Sequence, residues 1–173
     1  MKNIILIVPN KELESKAIAY KEEHFSCGET VINGSEMWDN MDSYPEWLEM
    51  VTKNADIETY NQGWVLTDTF FAMRQSDKKI IGIIAFRHSL NEFLKDFGHI
   101  GYSVCPLERR KGYATEMLRQ VLAIAKEQGL AEVFLSYMKG NVPSKKTILN
   151  NGGEYLRDFT FNNEVGEVFS IVL

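Results

Sequence analysis

Two cysteines, Cys27 and Cys105, occur in 173 residues, with no C-x-x-C pair between them. That excludes a disulfide framework and a cysteine-based metal site, and three dispersed histidines supply no ligand spacing. A chain of this length can bury roughly 70% of the surface it exposes when unfolded, so it needs neither staple. A reducing compartment follows as the simpler setting, with the cytoplasm as the expected location. Long apolar runs are also missing. Ile4 to Val8, closed by Pro9, is shorter than a secretory signal core, and nothing later approaches the ~18 apolar residues of a membrane span. No membrane is expected as a partner. Nor is there surplus positive charge: 19 basic against 24 acidic residues leave −5, which speaks against nucleic acid as a partner. With 4 prolines and 45% hydrophobic residues the chain is neither low-complexity nor disordered, and residues 1–173 read as one domain.

What is present is an alternation of short apolar runs with amphipathic stretches. Ile4 to Val8 reads as a strand and Lys11 to Phe25 as a helix, with Leu13, Ala17 and Tyr20 near helical spacing. The pattern from Ser26 to Gly63 is irregular, apart from a short helix from Tyr44 or Pro45 to Thr52. Val65 to Arg74 and Lys79 to Arg87 form a hairpin across Gln75 to Lys78, and Ser89 to Leu94 is a candidate helical turn. His99 to Val104 is the next strand. The strongest helix follows, with Ala114, Met117, Leu118, Val121, Leu122 and Ala125 on one stripe and Gly129 past its end. Glu132 to Met138 is a strand and Ser144 to Asn151 a helix. Tyr155 to Phe161 and Val165 to Leu173 close the chain as a hairpin around Asn162-Asn163. The fold class is α/β (α+β), with a sheet largely antiparallel at its start and end.

The junction from His99 to Thr115 carries the chemistry: a strand, a basic turn, then the strong helix. The first helical N–H groups, at Gly112, Tyr113, Ala114 and Thr115, lack intrahelical partners, and the helix dipole adds partial positive charge there. Arg109, Arg110 and Lys111 set three cations beside those donors, an arrangement suited to a diphosphate. Neither the P-loop pattern G-x-x-x-x-G-K-S/T nor the dinucleotide pattern G-x-G-x-x-G occurs.

The segment Arg109 to Ala114 instead fits R/Q-x-x-G-x-G/A, and with it the chain resembles the GNAT acetyltransferases from about Val65 onward. Asn141-Val-Pro-Ser144 before a helix and Gly152 is similar to that family's second motif. Arg87 to Leu94 before Gly98 to Tyr102 resembles a bacterial subgroup of acetyltransferases whose substrates are unsettled. The resemblance implies a mixed, mostly antiparallel twisted sheet flanked by helices and splayed at a central parallel strand pair. It implies an N-acetyltransferase that uses acetyl-CoA, with the diphosphate on the Arg109–Thr115 loop and the pantetheine arm beside Asn141 and Ser144. A backbone N–H near Val104 would polarise the thioester carbonyl. Many relatives carry a tyrosine acid seven residues after the motif asparagine, where this chain has Ile148. Tyr102 and Tyr137 are the substitutes, each also readable as core or sheet surface. Such a departure leaves a non-catalytic acyl-CoA-binding module as the rival reading.

Transfer to an amine also needs a base, because an alkyl amine of pKa ~10.4 is protonated at neutral pH. His99 is the candidate, at a position where relatives often carry Glu; a half-buried structural histidine is the alternative. On the acceptor side, Gly34 to Met50 holds five carboxylates and no Lys or Arg, with Trp38, Tyr44 and Trp47 interleaved. Two readings stand side by side. Glu36 and Trp38 face a cationic small-molecule amine, or the segment is an amphipathic helix pair with its aromatics in the core. A peptide or protein amine is a further alternative acceptor, and the closing hairpin offers an edge for a homodimer.

Overall fold

The computed structural model describes residues 2–173. Four strands form one antiparallel sheet in the order β1 (Ile4–Ile7), β2 (Thr67–Arg74), β3 (Ile80–Arg87), β4 (Ile100–Val104). Three form a second, antiparallel sheet in the order β5 (Glu132–Met138), β7 (Glu164–Val172), β6 (Glu154–Phe161). The helices are α1 (Glu14–Ser26), α2 (Tyr44–Asn54), α3 (Tyr113–Glu127) and α4 (Val142–Asn150). Short 3-10 turns precede α1 at Lys11–Leu13 and lie at Leu94–Asp96, the latter slightly beyond the expected turn.

Local sequence explains most boundaries. The strand β3 is buried from Ile80 to Phe86, a continuous apolar run that fits coverage on both faces, and α1 and α3 both pack against it. The stripe of α3 puts Met117, Leu118, Val121 and Ala125 fully inside. Each of the larger three contributes about 1.5–3 kcal/mol by leaving water. Helix α4 starts at Val142, two residues before the expected Ser144, because Asn141 caps it by accepting the Ser144 N–H at 3.2 Å and Pro143 suits its first turn. Asn162 and Asn163 both take left-handed φ values, 50° and 63°, the requirement of a type I′ hairpin turn.

The sheet is split where splay was expected. No backbone ladder joins β4 to β5. They meet at one isolated bridge, Gly98–Leu135, antiparallel and just ahead of β4, so the expected parallel pair is not held by pairing. Beyond that bridge the two sheets part, and α3 and α4 flank the opening.

Candidate active site

Backbone alternation decides what the edge of β4 offers. The Cys105 N–H donates to the Ile81 carbonyl at 2.9 Å and the Arg87 N–H to the His99 carbonyl at 2.7 Å. The odd-numbered residues of β4 are therefore the hydrogen-bonded ones, and Tyr102 and Val104 turn their N–H and C=O groups away from β3, toward the parted edge. The Val104 carbonyl confirms the direction by accepting Arg109 Nε at 2.9 Å.

That edge forms one wall of a cleft of about 1030 Å³. Tyr102 to Val104 line one side, Asn141 to Ser144 the other, and Arg109, Arg110 and Gly112 to Thr115 the end; Lys111, expected with them, is not in the lining. The N–H groups of Gly112 to Thr115 find no acceptor among the described residues, and the first helical bond is Glu116 N–H to Gly112 at 3.2 Å. Gly112 has φ +82°, which aims these donors outward, and a side chain there would touch only the end of Lys2, at 3.4 Å. The cations are arranged differently from expectation. Arg109 forks onto Glu29 at 2.5 and 2.8 Å, and Lys111 donates to Glu108 at 2.8 Å. Arg110, with φ +61°, and Lys146 make no ion pair among the described residues. Glu108 also accepts Arg74 at 2.7 Å and Lys79 at 3.2 Å, and Arg74 beside it holds its carboxyl down to about 2. This network fixes the turn beneath the free donors.

Asn141 uses its side-chain oxygen as the α4 cap, while the Ser144 hydroxyl meets the Tyr102 hydroxyl at 2.9 Å. Tyr102 lies on the cleft wall, and burial pushes its phenol up, so it stays protonated. Tyr137 is bound to Glu167 and does not line the cleft, and Ile148 is fully buried. The buried Cys105 thiol is pushed by desolvation up to about 12, which makes it inert.

Of the two readings of His99, base and half-buried structural histidine, its contacts match the second. Its Nδ1 accepts the Phe134 N–H at 3.0 Å, its backbone N–H donates to the Phe134 carbonyl at 2.7 Å, and its ring stacks on the Phe134 ring. It ties the two sheets together beside the Gly98–Leu135 bridge. With Nδ1 accepting, the neutral ring carries its proton on Nε2, and burial lowers its proton affinity further. It lines neither cavity. The contacts His99 makes are therefore those of a ring packed between the two sheets.

A second cavity, about 420 Å³, lies beyond the segment Asn33–Gly34, and Asn33 lines both. Gly34 separates them: a Cβ on it would sit 2.3 Å from the Gly101 carbonyl oxygen of β4. Glu36, Trp64 and Arg87 converge here. Glu36 is nearly buried, and desolvation raises its carboxyl above the ordinary range, with Arg87 opposing. Glu36 and Met37 both take left-handed φ, 49° and 68°, which is strain concentrated at this wall. Trp47 stabilises the loop by donating Nε1 to the Ser35 carbonyl at 2.9 Å, and Asp39 closes it by accepting the Ile32 N–H at 2.7 Å.

Trp38 does not join Glu36 at the cavity. It is 1% exposed, packed on Tyr44 and Trp47, with Lys21 Nζ 4.2 Å from its ring centroid. The aromatics of Gly34 to Met50 are core, as the amphipathic reading had them, and Glu36 alone of the expected pair faces a cavity. Sequence reasoning missed Trp64, Lys146 and the partnership of Arg87 with Glu36.

Residues 17–154 match the acetyltransferase (GNAT) domain. The chain belongs to the GNAT acetyltransferase family. The likeness extends to solved structures of GNAT enzymes. The microcin C7 self-immunity acetyltransferase MccE, in complex with acetyl-CoA and AMP, is 14% identical with TM-score 0.73, covering 100% of this chain and 94% of that one. RimL, a ribosomal L7/L12 alpha-N-protein acetyltransferase in complex with coenzyme A, is 13% identical with TM-score 0.71, covering 100% and 96%. A spermidine N-acetyltransferase SpeG chimera from Vibrio cholerae and hSSAT is 13% identical with TM-score 0.67, covering 99% and 96%. At these identities the likeness is one of fold. No curated protein matches the chain by sequence. GNAT enzymes use acetyl-CoA, and the large cleft fits it: N–H donors without acceptors among the described residues at one end, and along one side a strand edge that no neighbouring strand covers. In this chain, no helix is long and apolar enough to cross a membrane among the described residues.

Proposed function

We propose that this GNAT enzyme transfers acetyl from acetyl-CoA directly to the primary amine of a small molecule, both substrates bound together. The observation that carries the reading is a pair of cavities on either side of Asn33–Gly34, one ending in the N–H donors of Gly112 to Thr115 beside the open edge of β4, the other small and holding the nearly buried Glu36 carboxylate. Bound acetyl-CoA supplies an acetyl thioester, whose acetyl carbon bonds to the amine nitrogen while the carbon–sulfur bond breaks and the thiol leaves.

The chain's own residues do the rest. The N–H groups of Gly112 to Thr115 hold the diphosphate, with Arg110 and Lys146 adding unpaired charge. Asn141 and Ser144 flank the pantetheine arm, and the outward N–H of Val104 stabilises negative charge on the carbonyl oxygen. Glu36 takes the proton from the amine. Its burial strengthens it as a base, and it lies in the smaller cavity, where His99 does not. The Tyr102 hydroxyl stands on the cleft wall as the protonated group near the leaving sulfur.

The test is thiol release over a panel of amines against pH. Wild type should release thiol with one amine class, and its kcat/KM should fall with acid below a limb lying above the ordinary carboxylate value of ~4.3. Glu36→Gln should lower kcat by ~10²-fold or more and abolish that limb. An unchanged limb in Glu36→Gln would remove Glu36 as the base. A protein that binds acetyl-CoA but releases no thiol with any amine would be a binding module instead.

A further inference from the structure

The smaller cavity contains a cation as well as a carboxylate, and proton transfer does not account for it. Arg87, at the end of β3, is largely buried, with 13% of its side-chain surface exposed. Its Nη1 donates to the Gly98 carbonyl at 3.0 Å. Its Nε is buried with no acceptor among the described residues. Its Nη2 has no hydrogen bond among the described residues, and the nearest carboxylate oxygen, Glu36 Oε1, stands off at 4.0 Å. A guanidinium carries five donors in a fork that matches a carboxylate, and leaving buried donors unpaired is costly. The Trp64 ring lies 5.9 Å from the guanidinium carbon, which fixes one side of the group without satisfying a donor. If the pair existed only to neutralise Glu36, a closed, hydrogen-bonded contact would be the stable arrangement. The observed gap instead presents a positive and a negative group side by side on the wall of a cavity sized for a small molecule.

We propose that the acceptor carries a carboxylate beside its amine, as an amino acid does, with Arg87 receiving the carboxylate and Glu36 facing the amino group. This inference rests on the acetyltransferase reading above and narrows its acceptor to a small zwitterion. A simple polyamine would leave the Arg87 donors unpaired and place its own positive charge against the guanidinium, so it is disfavoured on two counts.

The experiment measures thiol release from acetyl-CoA with the twenty common L-amino acids. For leucine, phenylalanine and lysine it adds the amines left by removing the carboxyl group: isoamylamine, phenethylamine and cadaverine. Wild type should use at least one amino acid, with kcat/KM ~10²-fold or more above its carboxyl-free counterpart, the discrimination expected of a site that hydrogen-bonds a missing group. Arg87→Gln should collapse that ratio toward unity while acetyl-CoA affinity, read by calorimetry, stays unchanged. Carboxyl-free amines used as well as or better than the amino acids would overturn the proposal and leave the acetyltransferase reading intact. No release with any amino acid, in a protein that binds acetyl-CoA, would also overturn it. Failure to bind acetyl-CoA would instead overturn the reading it rests on. The wild-type ratio stands as a test even if Arg87→Gln does not fold.

Discussion

A single methyl group added at Gly34 should disturb stability and turnover together. Gly34 has φ +72°, and its added Cβ would lie 2.3 Å from the Gly101 carbonyl oxygen and 2.7 Å from the Tyr102 nitrogen, both backbone atoms of β4. Atoms in contact relax near ~3.5 Å, so residues 33–35 must retreat by about 1 Å. The left-handed φ costs an alanine about 1–2 kcal/mol, and the enforced displacement about 1–3 kcal/mol more. An unfolding entropy of about 2.1 cal/mol/K per residue converts that sum into a fall in Tm of about 5–14 °C for a chain of this length. The retreat also stretches the Ser103 Oγ to Asn33 carbonyl bond, now 2.8 Å, and carries the strained Glu36 with it. Gly34→Ala should therefore lower amine kcat/KM more than it lowers acetyl-CoA affinity, because the free donors of Gly112 to Thr115 lie on a separate element. Thermal unfolding followed by thiol-release kinetics checks both. An unchanged Tm with unchanged kcat/KM would refute the account of Gly34 as the tight crossing between the cavities.

Other perturbations address the remaining parts. Gly112→Val forces a β-branched residue to φ +82° and should weaken acetyl-CoA binding ~10-fold or more by turning the donors at the start of α3 away; unaltered affinity by calorimetry would contradict the loop assignment. His99→Ala removes the acceptor of the half-buried Phe134 N–H and should cost about 1–3 kcal/mol of stability, while leaving the position of the kcat/KM pH limb unchanged. A large loss of kcat with an unaltered Tm would return His99 to the role of base. Glu29→Gln releases Arg109 and removes a negative charge from the cleft, so acetyl-CoA affinity should rise about threefold to tenfold. Weaker binding would mean that Glu29 serves to position Arg109.

What the chain discloses locally is nearly all of its secondary structure, and the reason is period. The stripe of α3, the β2–β3 hairpin and the Asn162-Asn163 turn each express burial or backbone geometry within a few neighbouring residues. The loop proposed to hold the diphosphate is legible for the same reason, since Arg109 to Thr115 is one continuous turn and helix start. The smaller cavity is not, because it unites a loop residue, Glu36, another loop residue, Trp64, and a strand end, Arg87. No period or spacing encodes that meeting. The sequence leaves His99 between base and structural histidine for a related reason: its tautomer is set by Phe134, 35 positions away, across the split between sheets. Trp38 and Trp47 alternate with acids in a pattern that fits either a wall or a core, and only tertiary packing chooses the core. The pairing of Arg109 with Glu29 likewise joins distant segments, which is why three free cations were expected where two are already engaged.

The central claim is that the parted edge of β4 and the start of α3 form an acetyl-CoA site. Calorimetric titration of the protein with acetyl-CoA tests it most directly. The account predicts saturable binding with one molecule per chain, weakened in Gly112→Val. Absence of binding in the wild-type protein would mean that the basic loop only caps a helix, and the functional account would fall with it.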